Sequence, residues 1–153
     1  MFMKRFLKIS ILGFMILHTS TFARAEDYVR TARIGYALWE CAALGSITKE
    51  DNKQREVFFE KGHQELTKLF SGLLEGKVAE EDWDQMPIGL RLGLSGGPSL
   101  EFRLGVLWAG ITENMYESTL PKQESLSWDD KKMLQKSAAQ KKLQTKNCEL
   151  LLP

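Results

Sequence analysis

The feature that most restricts the fold is a spacing. Val29, Ala32, Tyr36, Trp39 and Ala43 recur three and four residues apart, so they share one side of a helix over Asp27 to Leu44. The same interval returns in Phe59, Gly62, Leu66, Leu69, Phe70 and Leu73. It returns again in Leu100, Leu104, Leu107, Trp108, Ile111 and Met115. Alternation with a period of two occurs once, in Ile88, Leu90, Leu92 and Leu94. A lone strand leaves its backbone groups without partners, so residues 88–94 are expected as a short buried helix. Gly89 and Gly93 would let another helix approach. The alternative is an edge strand that pairs across a homodimer.

Local signals divide the helices. Gly45 is expected to stop the first, and Thr48, Lys49, Glu50 and Asp51 to open the second with a cap and early acids. The second helix should reach Leu74 and end at Gly76. A connector over residues 75–84 follows, then Pro87. Ser95 to Ser99 break the chain again, and Pro98 suits a first helical position of a helix ending near Ser118. In that helix Gly105 and Ala109 leave a notch for a neighbour. Ser127 caps a last helix running to about Asn147, with a thin apolar stripe of Leu134, Ala138 and Thr145. The expected fold is all-α, a compact bundle of four to five helices.

The N-terminus has a separate logic. Lys4, Arg5 and Lys8 precede an apolar run from Ile9 to Leu17, and Ala23-Arg24-Ala25 follows. That order describes a cleavable export signal over residues 1–25, with one helical domain over residues 26–153. The apolar run is shorter than the roughly 20 residues a membrane span needs. Cleavage after Ala25 would remove four bases and no acid, leaving 17 bases, 20 acids and a net charge of −3. That balance argues against a nucleic-acid partner. No later segment is apolar enough to hold the cleaved chain in a membrane. The expected location is periplasmic or secreted.

Cys41 and Cys148 are the only cysteines, and in an exported chain they read as one disulfide. Closing so long a loop stabilises by up to about 4–5 kcal/mol in the chain-entropy model. The tail Leu150 to Leu152 would pack beside this bond.

Motifs for chemistry are incomplete. Gly93-Leu94-Ser95-Gly96-Gly97 fits the nucleophile turn of α/β-hydrolases. That turn needs a strand before it and a histidine downstream, and the only histidine past the leader, His63, lies upstream. Glu60 and His63 form half of a carboxylate-bridged metal element, with no second half. Asp82-Trp83-Asp84 lacks the glycine and late glutamate of a calcium loop. No phosphate loop or dinucleotide fingerprint is present, and no cofactor is expected.

Surface contrast is the remaining signal. Trp83 sits among Glu80, Glu81, Asp82 and Asp84, and an exposed tryptophan ringed by acids would anchor a basic partner. The last helix carries Lys131, Lys132, Lys136, Lys142 and Lys146 on one broad face. Opposed charge patches favour selective protein contact. The expectation is a small binding protein such as an inhibitor, immunity protein or envelope adaptor, and not an enzyme. The alternatives are a serine hydrolase using Ser95 and a structural or lipid-facing envelope protein using the basic helix.

Overall fold

The computed structural model describes residues 19–49, 52–93 and 96–152, and side chains from Tyr28 onward. Five α-helices and two 3₁₀ turns account for them, with no strand among the described residues. Helix α1 spans Thr19–Thr48, and α2 spans Asn52–Leu74.

Helix α1 is the axis of the molecule. It touches α2, the later helices and both 3₁₀ turns. Val29, Ala32, Leu38, Trp39, Cys41, Ala42, Ala43 and Leu44 are all buried along it. The residues expected on one face are there, but Leu38, Cys41 and Ala42 bury a second face. Such a helix, apolar on most sides, needs neighbours all round.

Helices α1 and α2 run antiparallel and unusually close. Tyr28 lies against Gly72, Gly35 against Leu66, and Trp39 against Gly62. A Cβ on Gly62 would sit 3.1 Å from the Gly35 carbonyl and would overlap the Trp39 indole. The indole Nε1–H donates to the Phe59 carbonyl at 3.0 Å, so the buried donor is satisfied.

Gly45 does not stop α1. It lies beside Arg55 of α2, whose Cβ is 3.4 Å from where a Cβ on Gly45 would stand, an ordinary contact. The helix runs on to Thr48, and Lys49 makes the left-handed turn, φ 57°, with its N–H donating to the Gly45 carbonyl at 3.1 Å. The expected cap at Thr48 is thus the end of one helix rather than the start of the next. Helix α2 ends as expected. Gly76 has φ 65°, Lys77 N–H donates to the Gly72 carbonyl at 2.8 Å, and Gly76 N–H to that of Leu73 at 3.1 Å. This pair of bonds satisfies the carbonyls at the helix end.

A 3₁₀ turn, Glu80–Gln85, leads through Pro87 into α3, Ile88–Gly93. Residues 88–93 of the alternating run are therefore helical, as the lack of strand partners required. The segment is not the buried helix expected: Leu90 is buried, but Ile88 and Leu92 are 68% and 71% exposed, and Leu94 lies outside the described residues. Gly89 and Gly93 do admit neighbours, namely Tyr36 of α1 and Leu107.

Helix α4, Leu100–Glu117, starts one residue after its cap. The Ser99 hydroxyl accepts the Phe102 N–H at 3.2 Å, so Pro98 precedes the cap and is not the first helical residue. Leu104, Leu107, Ile111 and Met115 are buried as expected. Gly105 and Ala109 face outward, and nothing lies within 4 Å of a Cβ at Gly105, so the expected notch receives no neighbour.

Helix α5, Trp128–Thr145, is capped by Ser127, whose hydroxyl accepts the Asp130 N–H at 3.2 Å. Its buried residues are Gln135 and Ala139, one position on from the expected Leu134 and Ala138. Leu134 is 42% exposed. Gln135 Nε2 reaches the Tyr116 carbonyl at 3.3 Å and the buried Thr119 hydroxyl at 3.4 Å, which lets an amide take the inner place. The last 3₁₀ turn, Cys148–Leu151, brings Cys148 to Cys41 as a disulfide with Cα atoms 5.8 Å apart. Leu38, Ala42 and Phe58 surround it, and Leu151 and Leu152 pack against them.

Candidate binding cleft at the disulfide end

Two helices finish and one begins at the same end of the bundle. The last turn of α1, the first turns of α2, the last turns of α5 and the 3₁₀ turn after it enclose an open cleft of about 720 Å³. Its size falls within the range of small-ligand sites. Phe58, Leu143 and Cys148 supply its apolar lining, with Leu150, 80% exposed, beside them. The disulfide fixes the two sides of this recess to each other.

The polar lining is dominated by carboxamides: Gln54, Gln140, Gln144 and Asn147. Each carboxamide offers both a donor and an acceptor. Arg55 and Glu149 are the only charged residues among the described lining, and no histidine is there. Asn147 has φ 51°, a left-handed conformation that asparagine tolerates better than most residues. Its carbonyl accepts the Leu150 N–H at 2.9 Å, so the turn that places Glu149 and Leu150 starts at this residue. Lys146, one residue earlier, pairs with Glu40 of α1 at 2.7 Å and adds a polar clamp to the covalent one.

The residues singled out by sequence lie elsewhere. Trp83 is half-buried and packs against the main core, so it is not the exposed anchor expected. Asp82 is 4% exposed, with its Oδ2 buried and without a hydrogen-bond partner. Glu80, Glu81 and Asp84 remain exposed, and Asp84 pairs with Arg91 at 2.9 Å. Arg33 of α1 donates to the Gln85 carbonyl through Nε and Nη2, at 3.2 and 3.0 Å. The acidic connector is therefore pinned to the bundle by two arginines rather than held out as a loop. Lys132 and Lys136 are exposed on α5.

His63 is exposed on α2 beside aromatic rings, its centroid 6.3 Å from Phe59 and 6.4 Å from Trp39. Glu101, at the start of α4, is held below the usual carboxylate range by its own backbone N–H, then by Ser99, and to a lesser degree by His63. Glu60 is exposed, and no group of three or more metal-ligating side chains occurs among the described residues. Ser95 lies outside the described residues. The segment leading to it is helix α3, so the strand that a nucleophile turn requires is not there. No described helix is long and apolar enough to cross a membrane.

The cleft escaped sequence reasoning because its walls lie about a hundred residues apart and glutamine carries no motif. No protein-family model matches this chain, and no curated protein or solved structure does either.

Proposed function

We propose that the protein is an exported, non-catalytic binding protein that grips a peptide segment of a partner in the cleft at its disulfide end. The carboxamide lining carries this reading. Gln144 and Asn147 present donor and acceptor together, the pattern that a peptide unit's C=O and N–H complement. Other ligands suit the lining less well. Sugars and bases stack on open aromatic faces, and the one aromatic here, Phe58, is 3% exposed. Phosphate groups call for several cations, and the described lining has Arg55 alone. Proton transfer calls for a matched acid and base, and the lining has neither histidine nor a carboxylate pair.

Export rests on the leader over residues 1–25 and is supported by the disulfide. Protein recovered from the bacterial periplasm should begin at Glu26, and an N-terminus at Met1 would refute the leader.

The binding test is a displayed peptide library panned on the folded protein. Asn147→Gly keeps the left-handed turn and deletes the carboxamide; Gln144→Ala removes a second one. Losing two hydrogen bonds, each worth about 1 kcal/mol, should weaken selected peptides roughly tenfold or more. The melting temperature should hold, because both side chains are exposed. Failure to select any peptide, or peptides indifferent to both changes, would overturn the assignment.

A further inference from the structure

Helix α4 carries two apolar seams, and the bundle uses one. Leu104, Leu107, Ile111 and Met115 face inward. Phe102, Val106, Ala109, Glu113 and Tyr116 follow the alternating four-and-three spacing of a coiled-coil seam on the outer side. Phe102 is 51% exposed, Val106 46% and Tyr116 45%. At the centre, Gly105 and Gly110 have nothing within 4 Å of where a Cβ would stand. Large apolar side chains flanking a shallow middle form a contiguous outward patch, which is uncommon on a chain that works alone.

We propose that this face pairs with the same face of a second copy of the chain, the two α4 helices running antiparallel about a two-fold axis between Ala109 and Gly110. Charge selects both the occupant and its direction. Phe102, Ala109 and Tyr116 lie seven residues apart along one line, and Arg103, Gly110 and Glu117 along the next. The two-fold axis exchanges these lines. It brings Arg103 of each copy beside Tyr116 and Glu117 of the other, and within a turn of Glu113. A parallel pair would set Glu113 against Glu113 in the seam. Glu101, the remaining charge near Arg103, falls off the spacing of Phe102, Val106, Ala109, Glu113 and Tyr116 and so outside the seam. Isologous contacts of this kind require a self-complementary surface, and the opposed ends of α4 provide one. The seam from Phe102 to Tyr116 is about 21 Å long at the helical rise, which suits a reversible dimer better than an obligate one.

Sedimentation equilibrium of the purified protein over a concentration series reads the association directly. A monomer–dimer equilibrium is expected in the micromolar range. Val106→Glu should weaken it at least tenfold while leaving the melting temperature of the dilute protein unchanged. Arg103→Glu should also weaken it, and adding Glu113→Lys and Glu117→Arg should restore it. Restoration is the decisive arm, because Arg103 also donates to the Gly97 carbonyl at 3.3 Å within one chain. A chain that stays monomeric at every concentration overturns the proposal. So does a dimer that tolerates Val106→Glu, or one that the charge exchange fails to restore.

Discussion

Replacing both cysteines, Cys41→Ala with Cys148→Ala, tests what holds α5 in place. The cross-link closes a loop of 107 residues. In the chain-entropy model that removes about 16 cal/mol/K from the unfolded state, or about 4.8 kcal/mol at 25 °C. Unfolding the roughly 125 residues from Tyr28 to Leu152 releases about 0.26 kcal/mol/K. The expected fall in melting temperature is therefore about 18 °C. The other attachments of α5 do not offset such a loss. The helix fully buries only Gln135 and Ala139, Leu143 is half-buried against the core, and the Glu40–Lys146 pair is worth about 1 kcal/mol at most. Calorimetry of the oxidised protein and the double variant gives the shift. Hydrogen exchange should find α5 and the tail opening first, with α1 and α2 still protected. A shift below about 5 °C, with α5 as protected as α2, would mean that non-covalent contacts hold it and would refute the argument.

Gly62→Ala drives a methyl group into the Trp39 indole and should cost about 1–3 kcal/mol, read from the urea midpoint. Tyr36 ionises above its ordinary value of 10.0, first because burial disfavours the phenolate and second because Glu40 repels it. With the folded value above the unfolded one, its contribution is complete below pH 10 and fades as pH rises through the folded value. An ultraviolet titration should resolve this late tyrosinate, and Glu40→Gln should move it down. Ser127→Ala removes the cap of α5 and should cost about 1 kcal/mol by denaturant melt.

Much of the scaffold was legible because the spacing of large apolar residues is a direct record of burial. The stripes of α1, α2 and α4 could be read that way, and the Cys41–Cys148 link from two cysteines in a chain with an export leader. The helical state of residues 88–93 could be assigned by asking where a strand would find partners. Errors arose where polarity and position disagree. On α5 the sequence favours Leu134 for the interior, yet Gln135 occupies it because the α4 terminus offers its amide two oxygens. Gly45 resembles a stop, but the helix runs through it and the left-handed turn falls four residues later, at Lys49. Trp83 resembles an anchor for a partner, but Arg33 and Arg91 draw its turn onto the bundle. The cleft was illegible for a different reason. Its character comes from Gln54 meeting Gln144 and Asn147 in space, and no local pattern announces that meeting.

The order of the chain sets a difficulty for its own assembly. The most thoroughly covered helix, α1, is synthesised before nearly everything that covers it. Its nearest neighbour, α2, follows at once and can hide one flank. The opposite flank, with Leu38 and Ala42, meets Phe58 of α2 early but is closed only when Leu143 of α5 and the turn after it arrive. Cys41 waits longest, for a partner 107 residues further along the chain. A nascent molecule therefore displays a sticky flank and a free thiol until the turn carrying Cys148 arrives. A chain cut before Cys148 would keep both the uncovered flank and the unpaired thiol.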